Sequence, residues 1–215
     1  MNFDALIQTV AIAALPVLFA ITLHEAAHGY VARHFGDMTA YQQGRISLNP
    51  LKHIDPLGTI LLPIMTLWIG GILFGWAKPV PVNFAALRRP KQDMLWVALA
   101  GPLANLFMAL CWGIWAKIAL SSGGGYFAQP LLEMAQIGIK INIILMVLNL
   151  LPLPPLDGGR IVVSMLPYRA AYKFAAVEPY GMFILIGLAV TPILGWILTP
   201  PIFVLIELIN LIFGF

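Results

Sequence analysis

The chain has 215 residues, of which 60% are hydrophobic and only 10% are charged. Soluble globular domains carry about 25% charged residues, so this composition excludes an ordinary soluble protein and indicates one embedded in a membrane. The formal net charge is only +3, which favours an anionic lipid surface over nucleic acid as the partner of the basic residues.

Six apolar runs predict an all-α polytopic membrane protein with about five to six membrane segments. They cover residues 5–32, 57–75, 94–118, 131–151, 181–199 and 201–214. The last two runs are predicted to be separate because Pro200-Pro201 lies between them. We expect a single membrane-embedded domain over residues 1–215. The motifs described below are expected to lie in a core at about 5–175, with C-terminal helices at 180–215 beside it as a candidate gate.

Two segments between the runs are predicted to be non-helical. Residues 41–48 alternate weakly in hydropathy around a turn at Gly44, which predicts a short strand-like element at the membrane edge. Residues 75–93 are rich in proline. They predict an extended conformation, because proline fixes its own φ and disfavours helix at the preceding residue.

Basic residues cluster after the first, second and fourth runs, and the positive-inside rule places all three clusters in the cytoplasm. The clusters are Arg33, Arg45 and Lys52; Lys78, Arg88, Arg89 and Lys91; and Arg160, Arg169 and Lys173. This placement requires that residues 57–75 enter the bilayer and return as a re-entrant segment. Such a segment is allowed where surrounding protein shields its backbone.

The first run carries the sequence His24-Glu25-Ala26-Ala27-His28 inside its apolar stretch. Residues four apart share one face of a helix, so the two imidazoles can bind one metal ion. Glu25 lies about 100° around the helix from His24, where its carboxylate can accept a proton from water. This H-E-x-x-H pattern is typical of zinc hydrolases, and ionisable residues inside a membrane segment are usually functional. The alternative is a pair of interfacial histidines near the end of a helix.

A catalytic zinc ion needs a third protein ligand. The candidates are His34, Asp37, His53, Asp55, Glu133, Asp157, Glu178 and Glu207. Asp157 is favoured because three prolines end the fourth run just before Asp157-Gly158-Gly159, although taken alone it would be interpreted as a turn aspartate. If residues 57–75 are re-entrant, Asp157 arrives on the same side of the membrane as the histidines. The charge pattern and the metal site therefore require the same topology.

Three motifs resemble those of the site-2 protease family of intramembrane zinc metalloproteases: HEAAH, GPLAN at residues 101–105 and NLLPLPPLDGGR at residues 149–160. NPLKHIDPLGT and GWAKPVPVN are similar to its compact prokaryotic branch, which lacks PDZ and CBS domains. The resemblance covers most of residues 16–175. It implies that His24, His28 and Asp157 bind one zinc ion, that Glu25 is the general base or acid, and that Asn149 contacts the substrate near the scissile bond.

The same resemblance implies regulated intramembrane proteolysis, with transmembrane segments of membrane proteins as substrates. We therefore expect a multi-pass protein of the cell membrane whose active site lies towards the cytoplasmic side. Neither motifs nor composition indicate an oligomeric state. Asn105 and His53 are further candidates for contact with the substrate or the oxyanion. Bonding between helices is the alternative for Asn149 and an equal expectation for Asn105. An interfacial position is the alternative for His53. Gly101 and Pro102 are expected to shape a helix start and to permit close packing.

Two other functions are compatible with the motifs. One is a non-catalytic zinc-containing membrane protein that binds transmembrane helices. Glu25 argues against it, because a structural metal site needs no base. The other is a metal transporter, which would need further ionisable groups along its path, and the chain has few.

Overall fold

The computed structural model describes residues 3–61, 65, 78–123 and 125–215, and within them the chain is helical and contains no strand. The helices are α1 (Phe3–His34), α2 (Thr39–Gln42), α3 (Pro90–Ser121), α4 (Ala128–Asn149), α5 (Asp157–Met165), α6 (Tyr168–Ala175), α7 (Glu178–Val190) and α8 (Ile193–Phe213). Short 3₁₀ turns at Pro50–Lys52 and Phe84–Ala86 and a π-helical turn at Pro56–Leu61 lie in the connections. The predicted all-α class is confirmed over these ranges.

Four segments of the described chain are long and apolar enough to cross a bilayer. They are Ala11–His34, Pro90–Ser121, Ala128–Asn149 and Ile193–Phe213. α6 and α7 could together form a fifth, although they meet at an angle of 57°. About 20 apolar residues suffice to span the hydrocarbon core. A multi-pass architecture with four or five such segments therefore agrees with the apolar composition.

The predicted boundary between the last two runs is wrong. α7 ends at Val190 and α8 begins at Ile193, whereas Pro200 and Pro201 both lie inside α8. Thr191 is extended, with φ −98° and ψ 159°, as expected for a residue that precedes a proline. Interior prolines are tolerated in membrane helices because neighbouring groups satisfy the freed carbonyls.

The strand-like element predicted at residues 41–48 is not confirmed. Its first residues belong to α2, and residues 43–49 form turns and irregular chain. The turn at Gly44 is present, with φ 61° and a hydrogen bond from its N–H to the Tyr41 carbonyl oxygen at 2.9 Å. Residues 78–83 are not helical, as their prolines predict. The extended conformation predicted for residues 75–93 is wrong at Phe84–Ala86, which form a 3₁₀ turn, and from Pro90 onwards, where α3 begins. The predicted re-entrant segment, residues 57–75, lies mostly outside the described residues and stays a prediction.

α3 is the central helix and packs against α1, α4, α5 and α8. Glycines permit these close contacts, since a Cβ at Gly138 would overlap the Trp112 ring and one at Gly113 would overlap the Phe213 ring. Pro90 occupies the first turn of α3, where a missing N–H costs nothing. Gly101 and Pro102 instead lie in the helix interior. The expectation that they shape a helix start is therefore wrong, whereas their expected role in close packing is correct for Gly101.

Candidate metal centre

α1 brings His24 and His28 together on its buried face. Both side chains are buried, at 7% and 9% exposure, and their Nε2 atoms are 3.1 Å apart. The four-residue spacing produces this pair without any contribution from the rest of the fold. The face then packs against α3, which excludes lipid from the imidazoles.

Asp157 begins α5 and joins the histidine pair. Its Oδ2 lies 3.2 Å from His24 Nε2, and its Oδ1 lies 3.4 Å from His28 Nε2. The two glycines that follow make this approach possible. A Cβ at Gly158 would overlap the carbonyl oxygens of Leu150 and Leu151, and one at Gly159 would crowd Pro154. The start of α5 therefore packs closely against the chain that follows α4. This packing places the Asp157 carboxylate beside His24 and His28.

The tautomers of both histidines follow from their outer partners. His24 Nδ1 lies 2.6 Å from Asn105 Oδ1, and His28 Nδ1 lies 2.7 Å from the Val97 carbonyl oxygen. Both partners are acceptors, so each Nδ1 carries the proton and each Nε2 presents a lone pair towards the other ring. Asp157 Oδ2 is buried without a hydrogen-bond donor in the described chain. The buried carboxylate oxygen and the two Nε2 atoms therefore lie together as candidate metal ligands.

A metal cation fits this arrangement. Ligand atoms of His24, His28 and Asp157 all lie within 4.8 Å of one another. Tetrahedral ligands about 2.1 Å from a zinc ion are themselves about 3.4 Å apart, close to the separations between the imidazole nitrogens and the carboxylate oxygens. Three protein ligands from this donor set leave one coordination position open, as in a catalytic zinc site.

Asn105 holds the network behind His24. It is fully buried, and its Nδ2 donates to the Ala20 carbonyl oxygen at 3.1 Å and to Asn142 Oδ1 at 3.0 Å. Asn142 Nδ2 in turn donates to the Gly138 carbonyl oxygen at 2.8 Å. This chain of bonds fixes the amide orientation, links α1, α3 and α4, and leaves Asn105 Oδ1 to accept from His24. Hydrogen bonds of this kind fix the orientation and basicity of a ligating histidine.

Gly101 lets α3 pass directly over the two imidazoles. A Cβ at this position would lie 2.5 Å from His24 Cε1 and 2.6 Å from His24 Nε2, and still closer to His28 Nε2. Real Cβ atoms do not approach other atoms so closely. The GPLAN motif thus contributes a backbone surface above the histidines through Gly101 and a hydrogen-bond acceptor through Asn105.

Glu25 is half-buried, and its carboxylate is held by the segment Lys78–Asn83. The Val80 N–H donates to Glu25 Oε2 at 2.7 Å. The Val80 side chain is buried and lies against Gly29, one turn further along α1. A Cβ at Gly29 would be 3.1 Å from Val80 Cγ1. The predicted base is therefore in contact with a proline-rich segment 55 residues away in the sequence.

The other two predicted site residues lie apart from this network. Asn149 is half-buried at the end of α4, and its Nδ2 donates to the Leu145 carbonyl oxygen at 2.9 Å. His53 is 2% exposed, and its Nε2 donates to the Ser47 carbonyl oxygen at 2.8 Å. Its Nδ1 is buried without a partner in the described part of the chain. Substrate contact by Asn149, Asn105 and His53 stays a prediction.

Two structural residues were missed by the sequence analysis. Asp37 was considered only as a metal ligand, but it is 1% exposed and accepts hydrogen bonds from the N–H groups of Thr39 and Asn83 at 2.9 Å and 2.7 Å. Arg45 was treated only as a loop charge, but its guanidinium donates to the carbonyl oxygens of Lys52, Lys78 and Pro79. The only sequence feature that could have indicated this role for Asp37 is its position just after a long helix.

The helical membrane architecture and the H-E-x-x-H helix, with a carboxylate placed beside its two histidines, are typical of the class of membrane metallopeptidases. The sequence profile described as "Peptidase family M50" matches residues 114–191, which include Asp157. Together with the relatives described next, this shows that the chain belongs to peptidase family M50, the site-2 proteases. The predicted resemblance and the assignment as a metalloendopeptidase are confirmed.

Relatives match most of the chain. It is 39% identical over 190 residues to "Putative zinc metalloprotease YwhC" of Bacillus subtilis, covering 86% of this chain and 83% of the relative. It is 31% identical over 183 residues to "Putative zinc metalloprotease Rip2" of Mycolicibacterium smegmatis, covering 83% and 66%. The protein of the same name in Mycobacterium tuberculosis is 29% identical over 185 residues, covering 83% and 67%. No solved structure matches the chain.

Proposed function

We propose that this protein is a zinc-dependent intramembrane endopeptidase that hydrolyses peptide bonds within or near transmembrane helices of membrane proteins. The observation that carries the proposal is the cluster of His24, His28 and Asp157, in which both histidines lie on an apolar helix long enough to span a bilayer. The relatives' names mention zinc, and the donor set fits that ion.

His24, His28 and Asp157 would hold the zinc ion, with Asn105 and the Val97 carbonyl fixing the two imidazoles. When bound, zinc supplies a Lewis acid that polarises a peptide carbonyl and makes water more acidic. Glu25 is next to His24 on α1, and its carboxylate would accept a proton from the attacking water and pass it to the leaving amine. Asn149 is proposed to contact the substrate near the bond that is cut.

The geometry around Lys52 and Lys78 supports the proposed topology. Arg45 donates to the carbonyl oxygens of both residues, and the Lys78 N–H donates to the His53 carbonyl oxygen at 2.9 Å. The two flanks of the connection between them therefore lie side by side, as a chain that returns to its starting side requires. With the basic clusters in the cytoplasm, we propose that the active site faces that side of the cell membrane.

The C-terminal helices are proposed to act as a gate over a catalytic core at about residues 5–175. They are joined to the metal-ligating segment at two points. A Cβ at Gly181 of α7 would overlap the Pro154 carbonyl oxygen, and Glu178 forms an ion pair with Arg160 of α5. The pair Arg160–Glu178 is partly exposed, so it can break without leaving a buried charge. Movement of α7 would open the side of the bundle next to Asp157.

The proposal is tested with Glu25→Gln. Glutamine keeps the size of the side chain but cannot accept the proton, so zinc should stay bound while cleavage falls by about 10²- to 10⁴-fold. Zinc content of the purified protein and cleavage of single-pass substrates in liposomes measure the two effects. His24→Ala is the matched control and should lose both. Normal cleavage by Glu25→Gln would exclude the proposed function. Zinc binding by a wild-type protein that cleaves nothing would favour a non-catalytic binder of transmembrane helices.

A further inference from the structure

The segment Lys78–Asn83 lies against Glu25 and is fixed at several points. Arg45 donates to the Lys78 and Pro79 carbonyl oxygens at 3.1 Å each. At the other end, Asp37 accepts from the Asn83 N–H at 2.7 Å, and Asp37 is itself buried. The Val80 side chain is buried between these anchors. The position of the Val80 amide is therefore set by the fold and does not depend on a substrate.

The two prolines leave few amides in this segment. Pro79 and Pro81 carry no N–H, so Val80, Val82 and Asn83 supply the only backbone N–H donors between residues 79 and 83. Val80 donates to Glu25 and Asn83 donates to Asp37. The Val82 N–H has no hydrogen bond within the described ranges. A single amide flanked by prolines is thus directed at the predicted base.

We propose that the Val80 N–H positions the Glu25 carboxylate for proton transfer, and that Arg45 is a positioning residue because it fixes the segment that carries this N–H. The inference rests on the proposed function, in which Glu25 is the base. Val80 holds Oε2, and Glu25 Oε1 has no hydrogen-bond partner in the described chain. One oxygen is therefore fixed and the other is available to water. A carboxylate held in this way stays in one rotamer, which proton transfer requires.

The first test removes the N–H and keeps the extended backbone. Val80→Pro deletes the donor at a position already flanked by prolines, and Val82→Pro is the matched control because it removes an N–H without a partner. We expect kcat for a single-pass substrate to fall by about 10- to 100-fold in Val80→Pro, with KM and zinc content close to wild type. Val82→Pro should stay near wild type. Equal kcat for Val80→Pro and wild type would overturn the inference.

Arg45 provides a second route if Val80→Pro does not fold. Arg45→Ala should lower kcat in the same direction, and Arg45→Lys should restore part of it because an ammonium can still donate to one or two of the carbonyls. A rise in kcat/KM in Arg45→Ala would instead mean that the segment obstructs the site. That result would overturn the positioning role.

Amide hydrogen exchange tests the contact without catalysis. In wild-type protein, a peptide covering residues 78–83 should show slow exchange at Lys78, Val80 and Asn83 and fast exchange at Val82. Glu25→Ala removes the acceptor and should convert one further amide to fast exchange, whereas Glu25→Gln keeps an acceptor and should not. Fast exchange at Val80 in wild type would overturn the inference. If Val80 is protected but wild-type protein cleaves no substrate, the contact stands and the proposed function fails.

Discussion

At the scale of single residues, the candidate metal centre depends on groups that lie outside its set of candidate ligands. His24 and His28 are oriented by Asn105 and by the Val97 carbonyl, and both imidazoles lie under the bare backbone of Gly101. Each of these contacts restricts the rotation of an imidazole ring. Preorganised ligands bind a metal more tightly because less order has to be created on binding.

Gly101→Ala is predicted to damage the metal site specifically. The added methyl group would occupy space within 2.6 Å of His24, so the imidazoles must move and zinc affinity should fall by about 10- to 100-fold. Gly113→Ala is the matched control, because it inserts a methyl group on the same helix against the Phe213 ring. Both variants should lose about 1–3 kcal/mol of unfolding free energy from overpacking. Only Gly101→Ala should lose zinc at a fixed chelator concentration, and equal zinc content in the two variants would contradict this.

At the scale of elements, α7 is fitted to the turn that delivers Asp157. Gly181 lies against the Pro154 backbone, where the nearest atoms belong to the main chain and the Pro155 ring. Such a contact cannot be relieved by a change of rotamer. The C-terminal part of the chain is therefore coupled to the third ligand through backbone shape.

Gly181→Ala is predicted to destabilise the protein, and Gly187→Ala is its control on the same helix. A Cβ at Gly181 would overlap the Pro154 carbonyl, whereas one at Gly187 meets nothing within 4 Å. We expect Gly181→Ala to lower the free energy of unfolding by about 1–3 kcal/mol or more. Gly187→Ala should leave the free energy of unfolding unchanged or raise it by up to about 1 kcal/mol, because alanine has the higher helix propensity. Thermal unfolding in detergent measures both, and a Tm for Gly181→Ala at or above that of Gly187→Ala would count against the fit of α7.

At the scale of the whole molecule, the ligands come together only if the chain returns to the side it left. α1 carries the histidines and α5 carries Asp157, and α3 and α4 lie between them in sequence. The shared contacts of Arg45 with the Lys52 and Lys78 carbonyls place both flanks of the intervening connection at one site. These hydrogen bonds support the proposed topology independently of the distribution of basic residues.

Labelling of single cysteines tests the topology. Cys111 is the chain's one cysteine and is first replaced by alanine. Lys52→Cys and Lys78→Cys should then react with a membrane-impermeant thiol reagent from the same, cytoplasmic side, because the positive-inside rule places both there. Ser122→Cys, at the far end of α3, should react from the opposite side. Labelling of Lys52→Cys and Lys78→Cys from different sides would exclude the re-entrant hypothesis.

The sequence predicted those parts of the site that depend on local spacing. The four-residue spacing predicts the pair of His24 and His28. Asp157 was not predicted from local spacing but from the need for a third ligand, and the structure brings all three residues together. The contacts that orient the site could not be predicted, because their partners are far apart in sequence. His24 and Asn105 are 81 residues apart, Asp37 and Asn83 are 46 residues apart, and Glu25 and Val80 are 55 residues apart.

The predicted boundary between the last two helices is wrong for a related reason. Pro200-Pro201 looks like the stronger break in sequence, but the apolar helix α8 continues through both prolines. The single Pro192 instead ends α7 by forcing Thr191 into an extended conformation. Whether a proline ends a membrane helix depends on whether neighbouring groups satisfy the carbonyl it frees. That information lies in the packing and is absent from the local sequence.

The two prolines beside the Val80 amide also bear on whether the enzyme can cleave its own chain. If Glu25 is the base, as proposed, residues 78–83 are a length of the enzyme's own chain that lies within reach of self-digestion. Pro79 and Pro81 lack the N–H groups through which an extended peptide pairs with a strand or a cleft. The bond between Val80 and Pro81 is also a tertiary amide, so its nitrogen has no hydrogen to donate. The same two residues that direct one amide towards Glu25 thus make the segment a poor substrate for the site it serves.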